Sequence, residues 1–518
     1  MDSFTQFLID HAQDDTDRLL LGRAKWPEID MDLAVHTIGG RRRLRTKVPE
    51  WTEIQGLHYP TRLCTEQCSS AATARYKAAL AARILSASPT DADKEDSRGS
   101  FSDTGQRDKE DAGAKSGRIA DLTGGLGVDA WAFSAVAEEV LHNEMDPALS
   151  EAVRHNFGLL GVGNATFRCD CVAPGLIADL LGDFRPGLIY LDPARRAGDG
   201  RKVFRLEDCR PDVLSLKEEL LRHAPHLLLK ISPMADISLL IRQLGGTDLP
   251  GGRVREVHIV EADGECKELL VWIGRDWNGP YRLVVCRIPG TGPAGPISAS
   301  PAEGSNRSRG VAALCFDPDA ESRAVPQFVS VPGNRAGSPA GDAGPLSGGW
   351  LFEPGKALSK AGLFNTLCDG TGLLKLSRHT HLYFLPPSAV AKLSAAPVAG
   401  EALPGEAPAA SGRLQSILAL GKLYRIREIH PFSGKTVKAV GKAWPRADVT
   451  AKDLPLSSDE LRKRLGVVSD ATVHIFGCRI ASGLRKTTDG APKDPACLLV
   501  TEPVSDRASG SPVPSTGV

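Results

Sequence analysis

The chain has 518 residues, too many for one ordinary domain, and two or three domains are predicted. Lys plus Arg and Asp plus Glu both total 63, so net charge identifies no class of partner, and the 42% apolar fraction is typical of soluble cores. Eleven cysteines without a C-x-x-C pair argue against a disulfide framework and a zinc site, so we expect no metal and a reducing, cytoplasmic location. The acidic start carries no long apolar run, and we expect neither a signal peptide nor a membrane span.

Residues 1–86 are predicted to be a helical N-terminal region, because apolar side chains recur there at spacings of three and four. The alanine-rich stretch 66–85 is the clearest helix, with Ser69 or Ser70 as its N-cap. A basic cluster precedes it, and a solvated turn and a phosphate contact explain that cluster equally well. Its members are Arg41, Arg42, Arg43, Arg45 and Lys47. Residues 87–117 are polar and charged and are predicted to be a disordered insertion.

Residues 118–286 alternate short apolar runs with helical stretches, which is the signature of a parallel α/β sheet. The strand candidates are 118–121, 139–144, 165–169, 187–191, 225–231, 254–260 and 268–273. The connection between the last two is too short for a helical crossover, so they are predicted to form a hairpin.

The turn after the first of these strands is the densest glycine cluster near a strand end, in the sequence RIADLTGGLGVD. Glycines at this density let the backbone turn sharply and approach a ligand closely, and the following helix would direct free N–H groups at it. The residues of this turn are Asp121, Thr123, Gly124, Gly125 and Gly127.

Glu144 ends the next apolar run, about 20 residues further on, where a ribose-binding carboxylate belongs. The glycines do not follow G-x-G-x-x-G and are not followed by the Lys-Ser/Thr of a P-loop, which argues against a dinucleotide or a nucleoside triphosphate. An acid on each side of the turn suits a nucleoside with a cationic, phosphate-free tail, a description that fits S-adenosylmethionine. A tight loop without a ligand is the alternative interpretation.

Ligands of open α/β sheets bind at the carboxyl ends of the strands. Asp170 follows the third strand, where it could read the adenine amine or simply cap a helix. Asp192-Pro193 follows the fourth strand, and its carboxylate could hold a substrate N–H or O–H or accept its proton.

Asp-Pro-Ala-Arg-Arg resembles the Asp-Pro-Pro-aromatic motif of enzymes that methylate exocyclic amines of bases. Arg195 stands where that motif has its aromatic residue, so the platform for a flipped base is missing. Arg195 and Arg196 are interpreted as phosphate contacts. Ion pairs with Glu207 and Asp208 in a structural loop are the alternative.

Lys230 ends the fifth strand on the same rim, and Glu261 and Glu265 of the hairpin are candidates to join it. Asp192, Lys230 and one of these glutamates resemble the Lys-Asp-Lys-Glu arrangement of ribose 2′-hydroxyl methyltransferases, in which a lysine deprotonates the hydroxyl. A lysine that merely caps a strand is the alternative.

The remaining chain is predicted to be a disordered linker at 287–348, an ordered domain at 349–502 with an insert at 390–412, and a disordered tail at 503–518. Residues 411–502 carry 16 Lys/Arg against 9 Asp/Glu, a local excess of seven positive charges.

Aromatic residues alternate with these basic residues, a combination that suits RNA, whose phosphates are neutralised and whose unpaired bases stack. The aromatic residues are Tyr424, Phe432 and Trp444. Lys435 and Lys438, in a polar stretch that contains glycine, are the predicted RNA contacts. A solvated basic face is the alternative.

Several motifs together resemble one family, the methyltransferases common in Bacteroidetes that carry a C-terminal THUMP-like domain. They are EQCSSAATARYK, DLTGGLGVD, LDPARR, FRLEDC, KISPMADI and GECKELL, followed by WLFEPGKALSKAGLF, HTHLYF, REIHPF and DLPLSSDELRKRLGV. The resemblance implies a seven-stranded, Rossmann-like class I methyltransferase sheet, the helical N-terminal region and a smaller α+β THUMP-like domain.

The resemblance further implies an S-adenosylmethionine-dependent methyltransferase acting on RNA, with tRNA or rRNA as the expected species. The resemblance predicts neither the acceptor atom nor the oligomeric state. A non-catalytic RNA-binding protein on a methyltransferase scaffold and a small-molecule methyltransferase are the alternative functions.

Overall fold

The computed structural model describes residues 2–86, 117–195, 206–245, 252–289, 311–329, 346, 348–394, 410–481 and 494–504. The chain divides into two compact units, the first comprising most of residues 1–282 and the second most of residues 283–518. The predicted disorder at 87–117 and 503–518 falls almost entirely outside the described residues. None of the helices within the described ranges is long and apolar enough to cross a bilayer.

The first unit begins with a helical layer. Its α-helices are α1 (Ser3–Asp10), α2 (Thr16–Leu21), α3 (Met31–Lys47), α4 (Pro49–Thr52), α5 (Arg62–Gln67) and α6 (Ala71–Ser86). Helix α6 begins later than predicted, because α5 ends at Gln67 and Ser70 caps α6 by accepting a hydrogen bond from the Thr73 amide at 3.2 Å. Ser69, the other cap candidate, is therefore left for a different contact.

The basic cluster lies on helix α3 and not in a turn, and a phosphate contact stays a prediction. Its side chains donate to neighbouring helices and loops: Arg41 to the Thr52 carbonyl at 2.6 Å, Arg42 to the Ala12 carbonyl at 2.9 Å and Lys47 to the Glu66 carbonyl at 2.7 Å. These contacts satisfy carbonyls that a helix end or a loop leaves without partners, so the cluster holds the helical layer together.

The sheet of the first unit follows. Its strands are β1 (Arg118–Asp121), β2 (Glu139–Asn143), β3 (Ala165–Arg168), β4 (Leu188–Leu191), β5 (Ala194–Arg195), β6 (Cys209–Arg210), β7 (His226–Ile231), β8 (Arg253–Ala262) and β9 (Glu265–Gly274). The helices that connect them are α7 (Val128–Ser134), α8 (Pro147–Leu159), α9 (Ile177–Leu181), α10 (Val213–His223) and α11 (Ile237–Gly245).

Seven of these strands lie in the order β8-β9-β7-β4-β1-β2-β3, while β5 and β6 form a separate antiparallel pair. Strands β1, β2, β3, β4 and β7 run parallel to one another, and β9 runs antiparallel to both β7 and β8. The predicted doubly wound sheet with a terminal hairpin is confirmed. Asp263 and Gly264 both take positive φ in that hairpin turn, as a two-residue connection requires.

The order in which the chain adds strands to the sheet reverses between β1 and β4: β2 and β3 lie on one side of β1, and β4 and β7 lie on the other. This is the topological switch point of the sheet. Helical connections leave to opposite sides at such a point and open a crevice at the carboxyl ends of the two strands. Asp121 ends β1, and Asp192 directly follows β4. The fold therefore brings the two predicted acids to the place where ligands of this class of sheet bind.

The second unit contains β10 (Arg282–Ile288), β11 (Ala312–Phe316), α12 (Ala320–Arg323), β12 (Trp350–Pro354), α13 (Lys356–Ala361), β13 (Leu374–Lys375), β14 (Tyr383–Leu385), α14 (Pro387–Ser394), α15 (Ala410–Ala419), β15 (Gly421–Pro431), α16 (Gly434–Ala443), β16 (Asp448–Ala451), α17 (Ser458–Leu465), β17 (His474–Arg479) and β18 (Ala496–Pro503). Seven strands form a sheet in the order β13-β14-β12-β15-β18-β17-β16.

The predicted linker 287–348 is not wholly irregular. It contains helix α12 and strand β11, which pairs antiparallel with β10. Neither β10 nor β11 was among the seven predicted strands. The insert 390–412 likewise begins within α14 and ends within α15. Both segments are rich in small residues, Gly and Pro, and that composition hid short elements that pair or pack with distant parts of the chain.

Both faces of the second sheet are covered. On β17 and β18, Ile475 and Val500 pack with α16 and α17, whereas Phe476 and Leu499 face the opposite core. Successive residues of a strand point to opposite faces, so this alternation buries both sets of side chains. Any aromatic residue on these strands is consequently a core residue.

Candidate functional site

Backbone hydrogen bonds fix the glycine turn at the switch point. The Thr123 amide donates to Asp121 Oδ1 at 3.1 Å, and the Asp192 amide donates to Thr123 Oγ1 at 2.6 Å, which joins the turn to the end of β4. The Gly124 amide donates to the Asn143 carbonyl at 2.8 Å. The turn is thus held to both neighbouring strands.

The three glycines are required for different reasons. Gly125 and Gly127 have φ of +53° and +82°, a region that glycine enters at no steric cost. A Cβ at Gly124 would lie 2.2 Å from His142 Nε2, whereas a Cβ at Gly125 would meet nothing within 4 Å. Gly124 therefore packs on the sheet, and Gly125 presents its backbone to open space that a ligand can fill.

Burial keeps His142, beneath Gly124, neutral. The ring is fully buried on β2, and burial lowers its pKa to about 4. Neither ring nitrogen has a hydrogen-bond partner among the described residues. His142 acts as a packing residue under the turn.

Glu144 stands at the mouth of the turn. Its Oε2 accepts a hydrogen bond from the Gly125 amide at 3.0 Å and its Oε1 accepts one from the Asp146 amide at 2.9 Å. Asn143, which sequence reasoning missed, ties three loops together. Its Nδ2 donates to the Leu122 carbonyl at 3.1 Å and to the Asp170 carbonyl at 3.0 Å, and its Oδ1 accepts from the Asp170 amide.

Asp170 is exposed and lies in the same group of loops through its backbone. The next helix begins at Ile177 with Leu176 at its N-cap, so Asp170 does not cap a helix. That alternative is wrong, and the adenine-reading role stays a prediction.

Asp121 is the most perturbed acid of the site. It is 1% exposed, its Oδ2 has no hydrogen-bond partner among the described residues, and burial raises its pKa well above the usual range. The charges of Asp129, Asp192 and Glu144 act in the same direction. A buried carboxyl without a partner costs free energy, which a cationic or N–H-donating ligand would recover.

Asp192 and Lys230 form an ion pair on the rim, with Lys230 Nζ 2.6 Å from Asp192 Oδ2. The side chains are 35% and 16% exposed, respectively. Burial alone would lower the pKa of Lys230, but Asp192, Glu268 and Asp129 outweigh it and raise that pKa. Lys230 is therefore a cation in the free protein, and the strand-cap alternative does not account for its contacts.

A buried polar network, which sequence reasoning also missed, continues from this pair. Lys77 of α6 is fully buried, 3.0 Å from Asp129 and 3.2 Å from Glu268. Ser69 accepts a hydrogen bond from Lys77 at 2.8 Å and donates to Asp129 at 2.8 Å, and Lys230 lies 3.4 Å from the same hydroxyl. Lys77 and Lys230 outweigh burial at Asp129 and lower its pKa, whereas burial dominates at Glu268 and raises its pKa.

The glutamate that contacts Lys77 in this network is Glu268, which was not among the predicted candidates. Glu265 pairs with Lys267 at the surface, at 2.8 Å. Ser69, Lys77 and Glu268 lie in the motifs EQCSSAATARYK and GECKELL, so the resemblance to the family could have pointed to them. Nothing local in the sequence, however, shows that α6 and β9 meet.

Of the four predicted RNA contacts, the structure describes the side chains of Lys435 and Lys438 only. Lys435 and Lys438 are exposed on α16, as predicted from the polar stretch. The side chain of Arg195 and the whole of Arg196 lie outside the described residues.

The predicted stacking aromatics are covered to different degrees: Tyr424 is buried, whereas Phe432 and Trp444 are half-buried. Tyr424 is 3% exposed and donates to Glu353, while Phe432 and Trp444 pack against the core that lies under α16 and α17. Trp444 also directs its indole N–H at Glu428. Tyr424 therefore cannot receive a base, and stacking on Phe432 and Trp444 stays a prediction.

Two segments of the second unit match known families. Residues 421–488 match the THUMP domain-like family, and residues 350–386 match a family described as a ferredoxin-like domain. The predicted C-terminal THUMP-like domain is confirmed. No curated protein matches the chain significantly.

Among solved structures, the chain is similar over nearly its whole length to a proposed methyltransferase from Porphyromonas gingivalis W83. The two are 25% identical, the match covers 97% of this chain and 98% of the other, and the TM-score is 0.64. Shorter matches, each over 31% of this chain, are to a proposed methyltransferase from Streptococcus mutans solved with SAH and to an rRNA methylase from Streptococcus thermophilus. Their identities are 13% and 14%, they are covered over 89% and 87% of their lengths, and their TM-scores are 0.24 and 0.23.

Proposed function

We propose that the protein is an S-adenosylmethionine-dependent methyltransferase that modifies RNA. The observation that carries the proposal is that a candidate cofactor site and a candidate catalytic ion pair lie side by side at the topological switch point of the sheet. A glycine turn adjoins the Asp192–Lys230 ion pair, and on its two sides stand Glu144 and Asp121, whose Oδ2 has no hydrogen-bond partner among the described residues. The whole-length similarity to a proposed methyltransferase supports the same conclusion.

The residues present fit the cofactor. Gly125 offers open space beside its backbone, Asp121 offers a buried carboxyl oxygen without a partner among the described residues, and Glu144 offers a carboxylate beside the Gly125 amide. We assign Asp121, Thr123 and the glycines to the methionine end, Glu144 to the ribose and Asp170 to the adenine. When bound, S-adenosylmethionine supplies an electrophilic methyl group on a cationic sulfur.

The acceptor is proposed to lie at Asp192-Pro193. Proline fixes the backbone after β4, and the Asp192 carboxylate accepts a hydrogen bond from an acceptor N–H or O–H and takes its proton. Lys230, a cation because of its acidic neighbours, donates to the acceptor and stabilises the negative charge that develops there. Because Asp192 holds Lys230 in its charged form, Asp192 rather than Lys230 is the proposed base.

A ribose 2′-hydroxyl is the favoured acceptor. Lys77, Asp192, Lys230 and Glu268 make up the Lys-Asp-Lys-Glu set that the sequence showed only in part. The Lys230 cation beside Asp192 suits the developing alkoxide of a hydroxyl more than a neutral amine, which carries no negative charge at any stage. Lys77 is fully buried, so its role is to position Glu268 and Asp129.

Transfer of a tritiated methyl group to bulk RNA from a deletion strain tests the proposal. Label in RNA supports it, and nucleoside analysis then separates 2′-O-methyl from base-methyl products. Asp192→Ala should abolish the label while the control Asp179→Ala, at an exposed position of α9, should retain it. RNA binding without label would favour a non-catalytic RNA-binding protein, and neither binding nor label would leave a small-molecule methyltransferase.

A further inference from the structure

A cavity of about 490 Å³ lies in the second unit, between the segment 321–329 and the β13–β14 hairpin. Its walls carry two kinds of side chain, aromatic and cationic. The members that matter are Phe328, Phe364, Lys375, Arg378, His379 and His381. No part of the proposed methyl-transfer site uses these residues.

The aromatic wall is accessible, unlike the buried ring of Tyr424. Phe364 and His381 are stacked with ring centroids 3.6 Å apart and planes within 16°, and both are half-buried. Burial, and secondarily Lys375 and Lys452, lower the pKa of His381, so its ring is neutral at pH 7. Phe328 is 39% exposed. A planar ligand can therefore contact aromatic surface from solvent here.

The charged groups on the walls are mainly positive. Arg378 and His379 are exposed, and Lys375 is buried with its Nζ 3.0 Å from Asn365 Oδ1. Glu321 also borders the cavity, but its carboxylate accepts hydrogen bonds from two backbone amides and one hydroxyl, at Asn365 and Thr366, at 2.8 to 3.0 Å. These donors and the electrostatic interaction with Lys375 offset part of the negative charge of Glu321.

The walls are held in place before any ligand arrives. In the hairpin loop, Ser377 and Thr380 are joined at 3.1 Å, and Thr380 donates to Asp453 at 3.3 Å. The Tyr383 hydroxyl donates to the Phe364 carbonyl at 2.6 Å, and the Lys375 amide donates to the Gln327 carbonyl at 2.7 Å. Preorganised groups lose little conformational entropy on binding.

We propose that this cavity binds one unpaired nucleotide of the RNA. The base stacks on the aromatic wall and its phosphate pairs with Arg378 and His379, the division of contacts that single-stranded nucleic acid requires. The assignment rests on the proposed RNA substrate. A nucleotide of RNA rather than a free nucleotide is favoured because the same unit carries exposed lysines on α16, which can contact further phosphates.

Fluorescence anisotropy with the full chain tests the assignment. The probes are eight-nucleotide oligouridylate and oligoadenylate, with a duplex of equal length and free UMP and AMP for comparison. Phe328→Ala should weaken single-strand binding roughly 5- to 100-fold, the range of base–aromatic stacking. Arg378→Ala should lower the logarithmic salt slope by about 0.7, the increment of one phosphate contact.

Two matched controls accompany these variants. Val325→Ala removes an exposed apolar side chain outside the cavity, and Arg462→Ala removes an exposed arginine of α17 that pairs with Asp459. Both should leave affinity and slope unchanged. All variants should retain the wild-type affinity for S-adenosylmethionine.

Unchanged single-strand affinity in Phe328→Ala together with an unchanged slope in Arg378→Ala would overturn the assignment. Free UMP or AMP binding as tightly as the oligonucleotides would overturn it for RNA. The proposed methyl transfer is tested separately, by the tritium label: if the wild-type protein transfers no label to RNA, the methyltransferase proposal fails, but the anisotropy results still decide whether the cavity binds a nucleotide.

Discussion

Asp121 illustrates how a single residue can be costly in the free protein and useful in the complex. Its carboxyl is buried and has a raised pKa, and in the described part of the chain Oδ2 has no hydrogen-bond partner. The folded state therefore holds the proton more tightly than the unfolded state. The stability that this proton confers is fully present below the unfolded pKa near 4 and is lost as pH rises through the folded pKa.

Asp121→Asn should reveal this cost, because asparagine does not titrate. The melting temperature of the variant should rise relative to wild type between pH 4 and pH 8, followed by calorimetry across that range. Affinity for S-adenosylmethionine, measured by isothermal titration, should fall about tenfold, as expected for one lost charged hydrogen bond. A stability difference independent of pH would contradict the inference.

Gly124 and Gly125 offer a matched pair of substitutions in the same turn. Gly124→Ala brings a methyl group against the His142 ring, so the turn or the ring must move, at a cost of roughly 1–3 kcal/mol. Gly125→Ala meets no atom within 4 Å and incurs only the strain of a positive φ, about 1 kcal/mol. Urea unfolding should rank them in this order; a larger loss at Gly125 would count against the packing described.

At the scale of elements, helix α6 is the part of the N-terminal layer that reaches the site. Lys77 lies 3.2 Å from Glu268 of β9, although 191 residues separate them. With Asp129 it forms a buried cluster of one cation and two acids that Ser69 completes. Removing one partner of such a cluster leaves buried charge uncompensated.

Lys77→Met should destabilise the protein by about 3–5 kcal/mol in urea unfolding. Adding Glu268→Gln to that variant should restore part of the loss, since it removes one of the uncompensated acids. Lys267→Met is the control, because its pair with Glu265 is exposed and should contribute about 0–1 kcal/mol. Equal losses in the two lysine variants would show that burial of the cluster contributes nothing.

For the whole molecule, the question is how a chain without net charge would bind RNA. The excess of basic residues is confined to 411–502, where Lys435 and Lys438 are exposed on α16 and no carboxylate among the described residues pairs with either. Several other basic residues of this region are paired with acids, Arg427 with Glu502 and Arg446 with Asp470 among them. The lysines of α16 are therefore the main phosphate candidates.

Reversing both lysines, Lys435→Glu with Lys438→Glu, should weaken RNA binding and lower the salt slope by about 0.7 for each lost contact. Folding and cofactor affinity should not change, because both side chains are exposed. Reversal of Arg23 and Lys25, exposed residues of the first unit, changes the net charge equally and serves as the control. The same loss in both double variants would mean that net charge, not α16, governs binding.

Local patterns in the sequence determined the first sheet and its glycine turn. Strands buried on both faces read as short apolar runs, and all four residues of β4 are buried. The hairpin followed from a connection too short for a helix, and Asp263-Gly264 makes that turn. Fold class and candidate cofactor residues could be predicted because each depends on residues close together in the chain.

Only the tertiary structure decided which distant side chains meet. It brought Lys77 to Glu268, left Glu265 paired with Lys267 at the surface, and turned two arginines of α3 towards backbone carbonyls. It also buried Tyr424, because both faces of its sheet are covered, and left Phe328 exposed beside Arg378. Periodicity reports which face of an element is apolar, whereas the partner of that face depends on packing between segments that the sequence keeps far apart.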